Sequence, residues 1–285
     1  DSLIMGMAVN TAPVVGSGRS GPAVVPSAPA PLDPSRLGPP PGARVIVAGG
    51  CGGMGRALVR ALVDTGVLVA VLDQPSALRQ HPPPEGVLAF PMDGSDAASV
   101  REAFAAIRAL WPSADGFCNL IGFMKTWVSI AEMPVEAFDE VVAGNLRPHF
   151  LCAQAALPLL HASGQAAIVN VSSTLGMDVN KGYVHYSACK AGIIALTKGM
   201  ARENAPGIRV NAIAPGLTDT AFLQGGTGRP AVFDAMDPHR YGSRVPLGRI
   251  AVAEDMVGPI LFLLGDASRY VNGETMIVDG GVYTQ

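Results

Sequence analysis

The sequence predicts a single α/β domain with a doubly wound parallel sheet flanked by helices on both faces. Short apolar runs such as Val45–Ala48 alternate with longer segments whose apolar residues recur at helical spacing. A Gly-rich turn joins the first run to the first of these helices. Strands that are apolar along their whole length are typical of a parallel sheet that helices cover on both sides. The 285 residues suffice for one such domain with a full core.

The predicted elements follow one another in regular βα order. A strand at 45–48, a helix at 54–64 and a strand at 67–72 form the first βαβ unit. Further strands are predicted at 87–90, 116–121, 166–171, 208–213 and 275–278. Further helices are predicted at 96–110, 135–160, 184–204 and 253–264. This order shows no internal repeat and no second folded domain.

Two segments fall outside this order. Residues 1–42 are rich in Pro, Ala, Gly and Ser and show no helical or strand period. They predict an extension before a catalytic domain at 43–285, either a flexible arm or one that packs on a neighbouring subunit or near the active site. Residues 217–250 are rich in Gly, Pro, Asp and Arg, and they predict either a lid over the site or a solvated loop.

Composition argues against several classes of function. The formal net charge of −3 gives no basic surface for nucleic acid. No run of ~18 apolar residues occurs, so no membrane span is expected. Four cysteines without metal-ligand spacing predict reduced thiols, no metal site and a cytoplasmic protein. The first residues lack the basic and apolar regions of a secretory signal.

The turn after the first strand has the composition of a phosphate-binding loop. Gly49, Gly53 and Gly55 are spaced G-x-x-x-G-x-G, and Met54 lies between the last two. Residues without a Cβ let the backbone approach a pyrophosphate, and the following helix offers free N–H groups at its amino end. With a strand before it and a helix after it, the turn predicts a dinucleotide site of the Rossmann type. Cys51, within the turn, is expected to be an inert small residue.

A carboxylate at the end of the second strand bears on the choice of dinucleotide. Asp73 lies 18 residues after Gly55 and is followed by Gln74. A carboxylate accepts hydrogen bonds from a ribose 2′-hydroxyl and repels a 2′-phosphate, and the turn holds no Lys or Arg before Arg56. The sequence therefore predicts NAD rather than NADP. A solvated strand-end carboxylate is the alternative interpretation of Asp73.

Tyr186 and Lys190 are the most informative pair in the chain. They lie four residues apart, on one face of a predicted helix, and Ser173 lies 13 residues before Tyr186. A neighbouring ammonium lowers the pKa of a phenol, which suits proton transfer to or from an oxygen. Ser172 is the rival to Ser173, and His185 is predicted to lie at the rim of the site.

Taken in order, these residues resemble the classical short-chain dehydrogenase/reductase family over residues 43–285. The glycine turn is similar to the family's T-G-x-x-x-G-x-G, and Tyr186 with Lys190 is similar to its Y-x-x-x-K. Other motifs of the family are resembled by Asp93, the segment Asn119 to Gly122, Asn145, the run 168–173, the segment Asn211 to Gly216, Thr218, Thr220, Gly273 and the run 278–281. Ala48 replaces the usual Thr, and Leu120-Ile121 replaces Asn-Ala.

The resemblance implies an enzyme that interconverts a secondary alcohol and a ketone with a nicotinamide cofactor. It implies that Tyr186 is the acid and base, that Ser173 orients the substrate oxygen, and that Lys190 also binds the nicotinamide ribose. Asn145, expected in the middle of a helix, is implied to hold a water that links Lys190 to solvent. Further cofactor contacts are implied for Asp93 at the adenine, for Asn119, Gly122, Pro215 and Gly216, and for Thr218 and Thr220 near the carboxamide.

Apolar residues after the fourth, fifth and sixth strands predict a small apolar substrate, which is alicyclic, terpenoid, steroid-like or aromatic. They are Phe123, Met124, Trp127, Leu175, Met177, Val179, Tyr183, Phe222 and Leu223. An NADPH-dependent 3-oxoacyl-(acyl carrier) reductase is the alternative enzyme. A non-catalytic NAD-binding sensor or scaffold is the alternative from another class. The resemblance also implies a homotetramer, or a homodimer, built on the helices at 135–160 and 184–204.

Overall fold

The computed structural model of the chain describes residues 32–33, 36–125, 127–224, 226 and 241–283. Residues from Asp33 onward form one compact unit. Most of the predicted N-terminal extension, 1–42, lies outside the described residues, as do residues 225 and 227–240 of the predicted lid. The end of the extension contacts the domain, because the Gly42 N–H donates to the Gly66 carbonyl at 2.8 Å.

The described helices and strands alternate as the sequence predicts. In chain order they are β1 (Arg44–Ala48), α1 (Gly53–Asp64), β2 (Leu68–Asp73), α2 (Pro75–Gln80), β3 (Leu88–Pro91), α3 (Ala97–Leu110), β4 (Gly116–Asn119), α4 (Val135–Asn145), α5 (Arg147–Ser163), β5 (Ala166–Val171), α6 (Val184–Glu203), β6 (Ile208–Pro215), β7 (Thr218–Asp219), β8 (Ala251–Val252), α7 (Val257–Leu264) and β9 (Thr275–Val278).

The main sheet confirms the predicted fold class. Within the described residues it has seven strands in the order β3-β2-β1-β4-β5-β6-β9, and every neighbouring pair is parallel. The order reverses where β1 lies beside β4, with Val45 opposite Gly116. In an open parallel sheet this reversal opens a crevice at the carboxyl ends of the strands, which is where ligands bind.

Helices cover both faces of the sheet, and each face has its own apolar core. On one face Phe104 of α3 and Leu159 of α5 pack with Phe117 of β4, and the two phenyl rings meet edge to face at 6.0 Å. On the other face Leu58 of α1 and Ile260 of α7 pack on the sheet. All five side chains are buried. The continuous apolar runs of the strands therefore arise because both of their faces are covered.

The single helix predicted at 135–160 is wrong, because the chain breaks there into α4 and α5. Pro148 lies in the first turn of α5 and has no N–H to donate to the carbonyl of Gly144. The helix that contains Asn145 accordingly ends at that residue. Asn145 therefore lies at the carboxyl end of a helix and not in the middle of one. Its main-chain carbonyl is free to accept a hydrogen bond from the His149 ring at 2.8 Å.

Smaller differences concern short elements. The helix α2 was not predicted, and the helix predicted at 253–264 begins with a 3-10 turn, Ala253–Met256, before α7. The region predicted as irregular contains β7, which pairs in parallel with β8. None of the helices in the described residues is long and apolar enough to cross a bilayer. The same residues contain no cluster of metal-ligating side chains.

Candidate active site

Two adjoining cavities open at the carboxyl edge of the sheet. The first cavity, about 140 Å³, is bordered by the glycine turn, the ends of β2 and β3, and the loop after β4. The second cavity, about 350 Å³, is bordered by the ends of β5 and β6, by α6 and by the segment after β6. Leu120 and Gly122 border both cavities, so a ligand can extend from one into the other.

The glycine turn has the geometry that a bound pyrophosphate requires. Gly49 has a φ of +80°, in the left-handed region that favours glycine. A Cβ on Gly55 would overlap the carbonyl oxygen of Gly49, so the turn closes tightly on itself. Gly52 caps α1 without a side chain, and the first turn of α1 has no acidic residue. The amino end of α1 thus presents free N–H groups to an anion, and the turn fits the phosphates of a dinucleotide.

Asp73 lies at the end of β2 on the wall of the first cavity. Its carboxylate accepts hydrogen bonds from the N–H of Cys51 and the N–H of Gln74, both at 2.8 Å. Burial raises the pKa of this carboxyl, and the two N–H donors act in the opposite direction. Cys51 is buried, and that burial together with the charge of Asp73 raises the pKa of its thiol to about 12. The thiol is therefore protonated at neutral pH, as an inert residue should be.

The other residues predicted to bind the cofactor divide between the two cavities. The first cavity is bordered by Gly49, Gln74, Asp93 and Gly122. The second is bordered by Met54, Gly122, Pro215, Gly216, Thr218 and Thr220. Gly53 packs against Thr220, which brings the glycine turn next to the segment after β6.

Asn119 borders neither cavity. It is fully buried, its side-chain oxygen accepts from the N–H of Ile121 at 3.1 Å, and its amide donates to the carbonyl of Pro148 at 3.4 Å. Asn119 thus stabilises the loop after β4, and that loop borders the first cavity.

Tyr186, Lys190 and Ser173 meet at the wall of the second cavity. Helix α6 carries Tyr186 and Lys190, which are each 3% exposed, and the Lys190 Nζ lies 5.4 Å from the centre of the Tyr186 ring. The Ser173 side chain borders the same cavity and lies near enough to the phenol to lower its pKa. The Ser172 hydroxyl instead donates to the main-chain carbonyl of Lys190 at 2.8 Å. This geometry favours Ser173 over Ser172 as the partner of the phenol.

The electrostatics of this pair differ from the expectation. Burial raises the pKa of Tyr186 above its usual value, and the nearby Ser173 side chain acts in the opposite direction. The expected fall in the phenol pKa is wrong because burial is the largest influence on it and acts upward. Lys190 directs its Nζ to the carbonyl of Val171 at 3.0 Å. Burial also lowers the pKa of Lys190, to about 8. The phenol is consequently held in its protonated form, which is the form that donates a proton.

Asn145 lies beside Lys190, and its polar atoms are all hydrogen-bonded within the protein. Its side-chain oxygen accepts from the N–H of Phe123 at 3.1 Å, and its amide donates to the carbonyl of Val141 at 3.0 Å. Its main-chain carbonyl accepts from His149, a fully buried residue that the sequence interpretation missed. Burial, followed by the charge of Lys190, lowers the pKa of His149 to about 3, so the ring is neutral. The spacing of four residues between Asn145 and His149 could have indicated this contact, because residues four apart are neighbours on a helix.

The predicted substrate-contacting residues are only partly at the second cavity. Those that border it are Met124, Leu175, Tyr183, Phe222 and Leu223. Phe123 borders the first cavity instead, and Trp127, Met177 and Val179 border neither. Trp127 is drawn away because its indole N–H donates to the carbonyl of Lys181 at 2.8 Å. His185 is 1% exposed and so is not a rim residue.

Several residues at the second cavity were missed, and two of them are polar side chains from the far end of the chain segment after β6. Tyr241 and Arg244 border it from the far end of the predicted lid. The spacing of residues in the sequence gave no sign of them, because the chain returns to the cavity only after the long segment that follows β6. The solvated-loop interpretation of 217–250 is therefore disfavoured for the described part of that segment.

Comparison with known proteins gives a consistent relationship. Residues 49–283 match the model of a family described as enoyl-(acyl carrier protein) reductase. A 3-oxoacyl-[acyl-carrier-protein] reductase of Staphylococcus aureus is 31% identical over 246 residues, which cover 84% of this chain and 97% of that protein. A cis-4-hydroxycyclohexanecarboxylate dehydrogenase of Sinomonas cyclohexanicum is 34% identical over 244 residues, 83% of this chain and 94% of that protein.

Comparison with solved structures agrees with this relationship. The solved structure of a levodione reductase superposes with a TM-score of 0.76 at 28% identity, and the match covers 85% of this chain and 98% of that one. The family match spans the glycine turn, the Tyr186 helix and the last strand of the sheet. The chain therefore belongs to the short-chain dehydrogenase/reductase family and is an oxidoreductase of this nicotinamide-dependent group.

Proposed function

We propose that this protein interconverts a secondary alcohol and a ketone of a small apolar molecule, with NAD as its cofactor. The observation that carries the proposal is the position of the Tyr186 phenol, which lies with Ser173 at the wall of a mainly apolar cavity. That cavity adjoins a second one built around a phosphate-binding turn. A proton donor and a dinucleotide site at one sheet edge are what carbonyl reduction requires.

The side chains divide the work as follows. When bound, the nicotinamide supplies or accepts the hydride. Tyr186 donates the proton to the carbonyl oxygen in reduction and takes it back in oxidation. Ser173 donates a hydrogen bond to the same oxygen and so fixes its position. Lys190 holds a positive charge beside the phenol, and Asn145 fixes the adjacent loop through the N–H of Phe123.

The charges of the first cavity support NAD over NADP. Asp73 and Asp93 border this cavity, and none of its described lining residues is Lys or Arg. A 2′-phosphate placed there meets a partly buried carboxylate with no compensating cation among the described lining residues, which disfavours its binding. A ribose 2′-hydroxyl, by contrast, is a donor that the Asp73 carboxylate can accept.

The lining of the second cavity supports an apolar substrate. Met124, Leu175, Phe222, Leu223 and Val245 contribute apolar surface. The relative from Sinomonas cyclohexanicum is named for a substrate with a hydroxyl group on a cyclohexane ring, and the levodione reductase is named for the reduction of a dione. Alicyclic ketones are therefore the first substrates to try.

A second candidate function is the reduction of 3-oxoacyl groups on an acyl carrier protein. The name of the Staphylococcus aureus relative favours it, and the description of the family also names an acyl carrier protein, although with an enoyl group. The absence of a cation among the described lining of the first cavity argues against the NADPH that the sequence interpretation attached to this candidate. A non-catalytic NAD-binding protein, the candidate from another class, would have no need of Ser173 beside Tyr186.

We further propose that the protein works as a cytoplasmic homotetramer. Large apolar side chains on α4 and α5 support the assembly, since Val135, Phe138 and Phe150 are 69%, 40% and 51% exposed. Such side chains are commonly covered in oligomers. A monomeric mass in light scattering would contradict this part of the proposal. The four free, buried cysteines are compatible with a reducing compartment.

The decisive experiment follows the absorbance at 340 nm with NADH and with NADPH against a panel of alicyclic ketones and a 3-oxoacyl thioester. We expect turnover of alicyclic ketones with NADH. Turnover of the thioester with NADPH alone would transfer the assignment to the second candidate. Cofactor binding by calorimetry with no turnover on any substrate would favour the non-catalytic alternative.

A further inference from the structure

The second cavity differs from an ordinary apolar pocket in its charges. Among its described lining residues the cations are Lys190 and Arg244, and none is Asp or Glu. A cavity with positive charge and no acidic residue favours a ligand that carries a negative charge. The question is which of the two cations is available to that ligand.

Lys190 is already engaged. It is 3% exposed, its Nζ donates to the Val171 carbonyl at 3.0 Å, and it lies beside the Tyr186 ring. Because Lys190 lies next to the phenol, we assign it to the proton transfer and not to binding a substrate anion. A substrate anion bound there would bring a second negative group to the site where the reacting oxygen has to lie.

Arg244 is in the opposite situation. Its guanidinium lies over the Tyr241 ring, 5.8 Å from the ring centre, and within the described residues it has no carboxylate partner. Arg249, five residues further on, is by contrast an arginine that is paired with a carboxylate. Two of its nitrogens bind Asp255 at 2.6 and 2.8 Å. The Tyr241 ring orients the Arg244 fork, and since no described carboxylate occupies its N–H groups, the fork can bind a planar anion.

We propose that Arg244 is the binding site for a carboxylate carried by the substrate. The inference rests on the proposed function and names the substrate class as small keto acids and hydroxy acids with an apolar body. The carbonyl group lies at Ser173 and Tyr186, the apolar body contacts residues such as Leu175 and Phe222, and the carboxylate pairs with Arg244. A guanidinium forms two parallel hydrogen bonds with a carboxylate, which fixes orientation as well as charge.

The dimensions favour a small acid over a carrier-bound acyl chain. The volume of about 350 Å³ accommodates a ring with two substituents, and the carboxylate provides a partner for a cation that has none among the described carboxylates. In a carrier-bound thioester the acyl end has no carboxylate, so Arg244 then has no partner inside the cavity.

The test compares the turnover and binding of each keto acid with those of the corresponding uncharged amide. The probes are 3- and 4-acetylbenzoate and the corresponding amides, which have nearly the same shape and differ by one charge. The variants are Arg244→Gln, the charge-retaining Arg244→Lys, and Arg108→Gln as a control. Arg108 lies in the last turn of α3, is exposed and borders neither cavity. Turnover is measured with NADH, and binding of each probe is measured by calorimetry in the presence of the cofactor.

We expect the wild type to prefer at least one acid over its amide, and we expect Arg244→Gln to lower that preference about tenfold, the usual scale of a charge-assisted hydrogen bond. Arg244→Lys should retain part of it, and Arg108→Gln should retain all of it. An unchanged acid-to-amide ratio in Arg244→Gln would overturn the inference, even if both amides are reduced and the proposed function stands.

The binding measurement separates the two hypotheses. If no probe is reduced, the proposed function fails for these ketones. The calorimetric ratio of acid to amide affinity still decides whether Arg244 binds a carboxylate. A preference for a 3-oxoacyl thioester over both acids would contradict the small-acid class.

Discussion

The two cavities share one edge of the same sheet but have opposite charges. The first is bordered by Asp73 and Asp93 and the second by Lys190 and Arg244, with no residue of the other sign among the described lining of either. The first is built around a glycine turn and strand ends, and the second around one helix and a long segment. If the proposed function holds, this difference means that the two halves of the ligand system are selected separately, with a dinucleotide that lacks a 2′-phosphate in the first cavity and an apolar, anionic molecule in the second.

The largest expected effect concerns the chemistry of the second cavity. Tyr186→Phe removes the proton donor and leaves the ring, so the rate of ketone reduction should fall at least ~10²-fold, the usual scale of acid–base catalysis. Binding of NADH, measured by fluorescence or calorimetry, should persist because the first cavity is untouched. Tyr270→Phe is the control, since Tyr270 is fully exposed and borders neither cavity. Near-normal turnover in Tyr186→Phe would refute the role of the phenol.

The next largest effect is expected from removing a negative charge from the first cavity. Asp73→Ala removes the carboxylate that should accept from the ribose and repel a 2′-phosphate. We expect the ratio of kcat/KM for NADH to that for NADPH to fall about tenfold, the scale of one charged hydrogen bond. Asp93→Asn is the comparison, because that residue is expected at the adenine and should change the ratio less. An equal change in both variants would remove the special role of Asp73.

The smallest effect concerns the thiols behind the two cavities. The pKa of Cys51 is raised to about 12 and that of Cys189 to about 11, in each case mainly by burial. A raised folded-state pKa means that the folded state holds the proton more tightly. This contribution to stability is complete below the unfolded pKa of about 9 and is lost as the pH rises through the folded values.

Each thiol should therefore cost about 1 kcal/mol of unfolding free energy between pH 8 and pH 10. Urea unfolding with reductant, at both pH values, measures this loss for the wild type, Cys51→Ala and Cys189→Ala. Each variant should lose that much less than the wild type. Lys190, whose pKa is lowered to about 8, acts in the opposite direction in all three proteins. The same pH dependence in all three would mean that these thiols titrate as they do in the unfolded chain.

Much of the first cavity was predictable from the sequence because its residues are close along the chain. The strand, the glycine turn and Asp73 lie within thirty residues of one another, and local spacing suffices to relate them. The same holds for Tyr186 and Lys190. The break at Asn145 was also predictable, since Pro148 lacks the N–H that a continuous helix needs. The continuous apolar pattern of residues 135–160 led instead to the prediction of one unbroken helix.

The rest depends on contacts between distant parts of the chain. The Tyr186 pKa is set by how deeply the helix is buried, and the hydrogen bond of Lys190 with Val171 joins residues that belong to different elements. Arg244 reaches the second cavity only because the chain returns there after the segment that follows β6. Neither composition nor spacing reveals such a return.

The most direct test of the contrast between the cavities is a calorimetric titration of the wild-type protein with NAD and with NADP. The proposal predicts that NAD binds at least tenfold more tightly, because the described lining of the first cavity meets a 2′-phosphate with carboxylates and no cation. Equal or tighter binding of NADP would contradict the assignment of the first cavity and, with it, the choice of cofactor.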